Sequence, residues 1–69
     1  MLTRAEKKAA KIADQRVERA YYRTCSGVQI DIMDIGKVFD FGRLKVAAGE
    51  DDNALGASIR AYVDTIRKN

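Results

Sequence analysis

The sequence predicts an all-α fold: a small three-helix domain with a long N-terminal helix and a short extended segment (residues 28–33) between helices 1 and 2. Three stretches of the chain place apolar residues at steps of three and four, which is the spacing of an amphipathic helix. Gly27 and Gly49 separate these stretches, and the 69 residues contain no proline. A chain this short forms one domain at most, so we assign residues 1–69 to a single small helical domain.

The first predicted helix occupies residues 1–25. Thr3 and Glu6 have the spacing of a capping box, in which each side chain bonds to the backbone of the other and a helix begins. Ser26 and Gly27 end the helix. The side predicted to be buried carries mostly small residues, namely Ala9, Ala13, Val17, Ala20, Tyr21 and Thr24.

Residues 26–34 are predicted to be an extended connector. Between Val28 and Ile32 apolar and polar residues alternate, and most of them are β-branched, which favours an extended backbone. The chain has no second alternating segment. The stretch is therefore either a connector packed on the helices or a strand that pairs with its counterpart in a homodimer.

Two further helices are predicted at residues 35–48 and 51–67. Asp34 is the expected N-cap of the first of these, and Gly49 closes it. This helix has apolar residues on two faces, one of which includes Phe41 and Leu44, so we expect it to be central or to lie at an interface. The last helix begins with acidic residues, which the positive end of a helix dipole favours.

Charge is distributed unevenly along the chain. Residues 1–25 carry a net charge of +4 and residues 26–69 a net charge of −1, within a total of +3. Lys7 and Lys11 repel each other across one helical turn. This basic face is either simply hydrated or suited to an acidic partner.

The residue types exclude most catalytic chemistry. The chain contains no histidine, so sites built on imidazole, as base or as metal ligand, are absent. Cys25 is the single cysteine and cannot form an internal disulfide. We expect no enzyme activity, no cofactor and no bound metal.

No apolar run approaches the length of a membrane span, and charged residues begin at Arg4. We therefore expect neither a membrane segment nor a secretory signal. The expected location is the cytoplasm.

These observations predict a non-enzymatic small intracellular interaction or regulatory protein. It would bind a macromolecular partner, an acidic protein surface by preference, through its basic first helix or an exposed apolar face. Tyr22 beside basic residues could also stack on bases, so nucleic acid is a second class of partner. The candidate partner-binding residues are Arg4, Lys7, Lys8, Lys11, Arg19, Tyr22, Arg23, Phe41 and Leu44.

The alternative function is a dimeric ribbon-helix-helix-like DNA-binding regulator. From Val28 onward, the order of alternating segment, helix, glycine-containing turn and helix resembles that family over about 40 residues. Residues 59–63 (IRAYV) look like the pattern of its second helix, and Gly49 stands about where its interhelical glycine would. The resemblance implies a dimer in which two strands pair in the major groove and Gln29 and Asp31 read the bases.

Overall fold

The computed structural model describes residues 2–67, which form three α-helices: α1 (Arg4–Cys25), α2 (Ile32–Ala47) and α3 (Asp52–Ile66). Each helix packs against the other two. The described residues contain no strand. The predicted all-α fold with a long first helix is confirmed. A short non-helical segment follows that helix, but Ile32 and Met33, which were predicted to belong to it, are part of α2.

The core lies where the second half of α1 meets α2 and α3. Its buried side chains come from all three helices and are Val17, Ala20, Cys25, Val38, Leu55, Ile59 and Val63. Within residues 2–67 no polar or charged residue is buried. Removal of apolar surface from water is therefore the main force that holds the helices together.

Two glycines let the helices approach closely. A Cβ atom on Gly42 of α2 would lie 2.6 Å from a methyl group of Val17 in α1. A Cβ atom on Gly56 of α3 would lie 3.0 Å from the methyl group of Thr24. The absence of a side chain at Gly42 therefore allows α2 to lie close to α1 at Val17.

α2 begins three residues earlier than the sequence predicts. Asp31, not Asp34, is the N-cap residue, and its carbonyl oxygen accepts from the amide groups of Asp34 (2.9 Å) and Ile35 (3.2 Å). The alternating pattern of apolar and polar residues runs to Ile32 in the sequence. The non-helical segment ends at Asp31, because Ile32 is already in α2. Asp34 lies in the first turn, where the helix dipole favours a carboxylate.

The turn after α2 matches its prediction. Gly49 adopts a positive φ of 88°, which costs glycine little. Its amide group bonds to the carbonyl of Val46, and the amide group of Glu50 bonds to the carbonyl of Lys45, as in a Schellman motif. Asp51 then caps α3 by accepting from the amide group of Ala54 at 2.8 Å.

The buried stripe of α1 begins later than predicted. Every residue from 2 to 12 is exposed, including Ala9, although Ala9 has the correct spacing for the core. The C-terminal part of α2 and the first turn of α3 lie beside Asp14 and Arg16, because Asp14 pairs with Arg43 (2.6 Å) and Arg16 pairs with Asp52 (3.0 Å). Residues 4–12 therefore project beyond the other helices, and we call them the arm.

Candidate interaction surface

The arm is a preorganised helix whose residues are all exposed. The Thr3 hydroxyl accepts from the Glu6 amide (3.1 Å), and the Glu6 carboxylate accepts from the Thr3 amide (3.3 Å). This is the predicted capping box, and it supports the first turn of α1. At 1.5 Å per residue, the nine residues of the arm extend about 13 Å.

Four basic side chains share one face of the arm. Successive helical residues are about 100° apart, so Arg4, Lys7, Lys8 and Lys11 fall within an arc of about 100°. Val17 and Ala20, which point into the core, lie on the opposite side of the same helix. The four cations therefore face away from the rest of the protein.

The cations of the arm differ from those of the remaining structure in their partners. Most basic side chains outside the arm lie within 4.0 Å of a carboxylate, and these are Arg16, Lys37, Arg43, Lys45, Arg60 and Arg67. Among the described residues, the four arm cations form no such pair. No carboxylate among residues 2–67 therefore pairs with their positive charge.

Arg19 and Tyr22 continue the outward face of α1 beyond the arm. Tyr22 is 63% exposed and its ring meets the edge of Tyr21, with centroids 5.6 Å apart. Tyr21 is half-buried against the core, and this burial, together with the nearby Cys25 and Tyr22, raises its pKa. Tyr22 is therefore the free member of the pair, as the sequence predicts.

Arg23, a candidate partner-binding residue, forms a hydrogen bond within its own chain. Its Nη2 donates to the carbonyl oxygen of Asp52 at 2.7 Å. Arg16, which the sequence did not single out, holds the same turn by donating to the Asp52 carboxylate and to the carbonyl of Glu50 (2.8 Å). The spacing of residues 16, 19 and 23 was the available signal, since it places the three arginines on one stripe.

These arginines border a small cavity. Arg16, Arg19, Ala20, Arg23 and Asp52 line a space of about 130 Å³ between α1 and the start of α3. Two of the three guanidinium groups already bond to the chain, and the Asp52 carboxylate is part of the lining. The cavity therefore belongs to the contact that orients α3.

Phe41 and Leu44, predicted together as an apolar face, have different surroundings. Phe41 stacks on Tyr62 of α3, with ring centroids 4.6 Å apart and planes at 10°, and the Lys45 ammonium lies 5.3 Å from its centroid. Leu44 is 71% exposed. Met33, which the sequence placed in the connector, is 82% exposed on α2.

The described residues show no site for metal chemistry. Within residues 2–67 no group of three or more acidic or cysteine side chains is arranged to hold a metal ion. No helix in this part of the chain is both long and apolar enough to cross a membrane. Cys25 is a buried free thiol.

The chain matches no protein-family model, and neither curated proteins nor solved structures give a match.

Proposed function

We propose that this protein is a non-enzymatic interaction protein whose arm binds an acidic surface of another protein. The observation that carries the proposal is the unequal pairing of charge. In the helical body, which we define as residues 13–67, most carboxylates lie against cations of the same chain. In contrast, Arg4, Lys7, Lys8 and Lys11 have no carboxylate partner within the described residues.

The geometry of the arm favours binding at low cost. Its helix is already capped, so little backbone entropy is lost when a partner binds. Its cations are exposed, so they can pair with external carboxylates without breaking bonds inside the chain. Such contacts accelerate association and weaken as salt is added.

An acidic protein is favoured over nucleic acid by the charge of the remaining chain. Residues 26–69 have a net charge of −1, and nucleic-acid affinity depends mainly on neutralising phosphates. A protein surface with a local acidic patch needs to meet only the arm. Arg19 and Tyr22 would extend the contact along the same face of α1.

The ribbon-helix-helix alternative needs a strand that pairs with a second copy. Residues 28–31 have no regular secondary structure, Val28 and Ile30 pack against the core of their own chain, and Ile32 begins α2. Only four residues could then form the ribbon, and their apolar side chains are already packed against the core of their own chain. We therefore rank DNA reading through Gln29 and Asp31 below the arm proposal.

We also infer that the protein is cytoplasmic, from the state of its cysteine. Its single thiol is buried and unpaired, which is compatible with a reducing compartment. Binding through a projecting arm suits a regulatory protein that occludes or bridges a larger partner.

The proposal is tested by titrating the protein with two probes of equal charge, a glutamate-rich peptide and a DNA duplex, and following fluorescence anisotropy. Reversing Lys7, Lys8 and Lys11 to Glu together should weaken binding of the peptide by at least about tenfold. Circular dichroism should show that this variant keeps its helices.

A matched comparison separates the arm from net charge. Lys8→Glu and Arg67→Glu change the total charge equally, but Arg67 lies at the end of α3, far along the chain from the arm. Lys8→Glu should weaken binding more. Equal effects of the two variants would remove the arm from the proposal, and tighter, sequence-dependent binding of DNA would replace it with the DNA reading.

A further inference from the structure

A second exposed stripe runs along the outer face of α2. Its residues are Met33, Lys37, Asp40 and Leu44, at steps of four, three and four, which places them within an arc of about 60°. Met33 is 82% exposed and Leu44 is 71% exposed. The side chains of Lys37 and Asp40 between them are 66% and 76% exposed. Val38 and Gly42, which are buried, lie on the other side of the helix.

The order of residue types along this stripe is apolar, cationic, anionic, apolar. When two copies of such a stripe are laid antiparallel about a two-fold axis between residues 38 and 39, Met33 faces Leu44 of the partner subunit. In the same register Lys37 faces Asp40 of the partner subunit. A two-fold axis produces each contact twice, so all four positions are matched.

We propose that the outer face of α2 binds a second copy of this chain as an antiparallel homodimer. The apolar pairs at the two ends of the stripe would be removed from water, and the two charge pairs would lie between them. A parallel arrangement would place Lys37 against Lys37 of the partner subunit and Asp40 against Asp40 of the partner subunit. The charges therefore select the antiparallel orientation.

The existing contacts of these charged residues do not oppose the arrangement. Lys37 lies 3.5 Å from Asp34, and Asp40 lies 2.9 Å from Arg43, on the exposed surface of one helix. Exposed pairs of this kind contribute little to stability, so their side chains are free to turn toward a partner. Gly36 borders the stripe and adds no side chain that would separate the helices.

The interface is small, because four side chains from each copy form its centre. We expect association that depends on concentration in the micromolar range and above. α1 runs antiparallel to α2, since Val17 lies against Gly42 while Cys25 precedes α2 by a short connector. The two-fold axis would therefore place the two arms at opposite ends of the dimer, where neither is covered.

The test is sedimentation equilibrium of the full chain over a concentration series. The wild-type molar mass should rise from that of one chain toward that of two. Leu44→Glu should raise the dissociation constant by more than about tenfold, because both copies lose an apolar contact and bury a charge. A wild-type protein that stays monomeric up to millimolar concentration would overturn the proposal.

Ile32→Glu is the matched control. Ile32 is on the same helix and is 83% exposed, but it lies about 110° from the centre of the stripe. Its substitution should leave the dissociation constant within about twofold of wild type. An equal loss in both variants would mean that the stripe is not the interface.

A charge exchange provides an independent test. Lys37→Asp and Asp40→Lys should each weaken the dimer, because each places like charges opposite one another. The double variant K37D/D40K should restore it, since positions 37 and 40 would again carry opposite charges across the two-fold axis. Within one chain the double variant places like charges beside both Asp34 and Arg43. If the single variants weakened the dimer only through these intramolecular pairs, their losses of dimer affinity would add in the double variant. That result would overturn the proposal.

The dimer and the arm are tested separately. Lys8→Glu should leave the sedimentation result unchanged, and Leu44→Glu should leave the affinity of a single arm for the acidic peptide unchanged. Failure of one proposal therefore does not decide the other.

Discussion

The same kinds of residue differ in burial and in charge pairing between the arm and the helical body. In the body, alanine and valine on the inner side of α1 are covered by α2 and α3, and most cations pair with carboxylates. In the arm, Ala9 is exposed and the cations have no partner among the described residues. The helix continues without a break through both regions, so the difference arises from the length of the neighbouring helices.

This comparison shows two ways in which a helix is maintained. Residues 13–25 are helical because their inner face is buried, whereas the arm depends on its capping box and on its continuity with the buried part. The body should therefore respond to changes in packing, and the arm should respond to changes at its N-terminus.

The largest expected effect comes from the centre of the body. Ile59 has no exposed surface, and Ile59→Ala should lower the free energy of unfolding by about 2–5 kcal/mol through lost burial and a cavity. Denaturation in urea, followed by circular dichroism, measures this. Ile12→Ala in the arm, where the side chain is 48% exposed, should cost less than about 1 kcal/mol. Comparable losses would show that the arm is packed.

The next effect concerns the close contact between α1 and α2. Gly42→Ala would place a methyl group 2.6 Å from Val17, and we expect a loss of about 1–3 kcal/mol in the free energy of unfolding. Gly36 is the matched control, because a Cβ atom there meets nothing within 4 Å. Gly36→Ala should stabilise α2 by up to about 1 kcal/mol through helix propensity. The same sign for both variants would contradict the contact.

A smaller effect is expected at the capping box. Thr3→Ala removes the acceptor for the Glu6 amide and should cost about 1 kcal/mol in the first turn. Hydrogen exchange of the Lys7 amide, which bonds to the Thr3 carbonyl, should become faster. Exchange at core positions such as Ile59 should not change, and a global increase in exchange would show that the arm and the body unfold together.

The smallest effect is a pH dependence at Tyr21. Partial burial raises its pKa above the ordinary value of 10.0, with contributions from Cys25 and Tyr22. The unfolded state has the ordinary pKa and the folded state the raised one, so between the two values the folded state holds more protons. Stability therefore falls as the pH rises from about 10 through the raised pKa. Tyr21→Phe should reduce this alkaline slope in thermal unfolding. An unchanged slope would assign it to other groups.

The ends of the helices were largely predictable because they depend on local chemistry. The Thr3 and Glu6 capping box, the Asp51 cap and the Gly49 turn each involve residues within a few positions of one another. The predicted start of α2 was wrong by three residues. There the alternation from Val28 to Ile32 suggested an extended backbone, while the carbonyl of Asp31 accepts helical bonds at that point.

The candidate surface was predictable in composition but not in detail. The basic face of α1 follows from helical spacing alone, and so does the exposure of Tyr22. Arg23 bonds to Asp52 and Phe41 stacks on Tyr62, over separations of 29 and 21 residues. No local pattern encodes such distant contacts.

The sequence by itself determined three helices, most of their caps and the concentration of positive charge in the first of them, because each depends on residues close together in the chain. Only the tertiary structure decided which part of α1 is buried, which cations are paired, and that Leu44 and Met33 are exposed while Phe41 is covered. These outcomes depend on where the end of α2 and the start of α3 lie against α1. That position is set by packing between distant residues such as Val17 and Gly42.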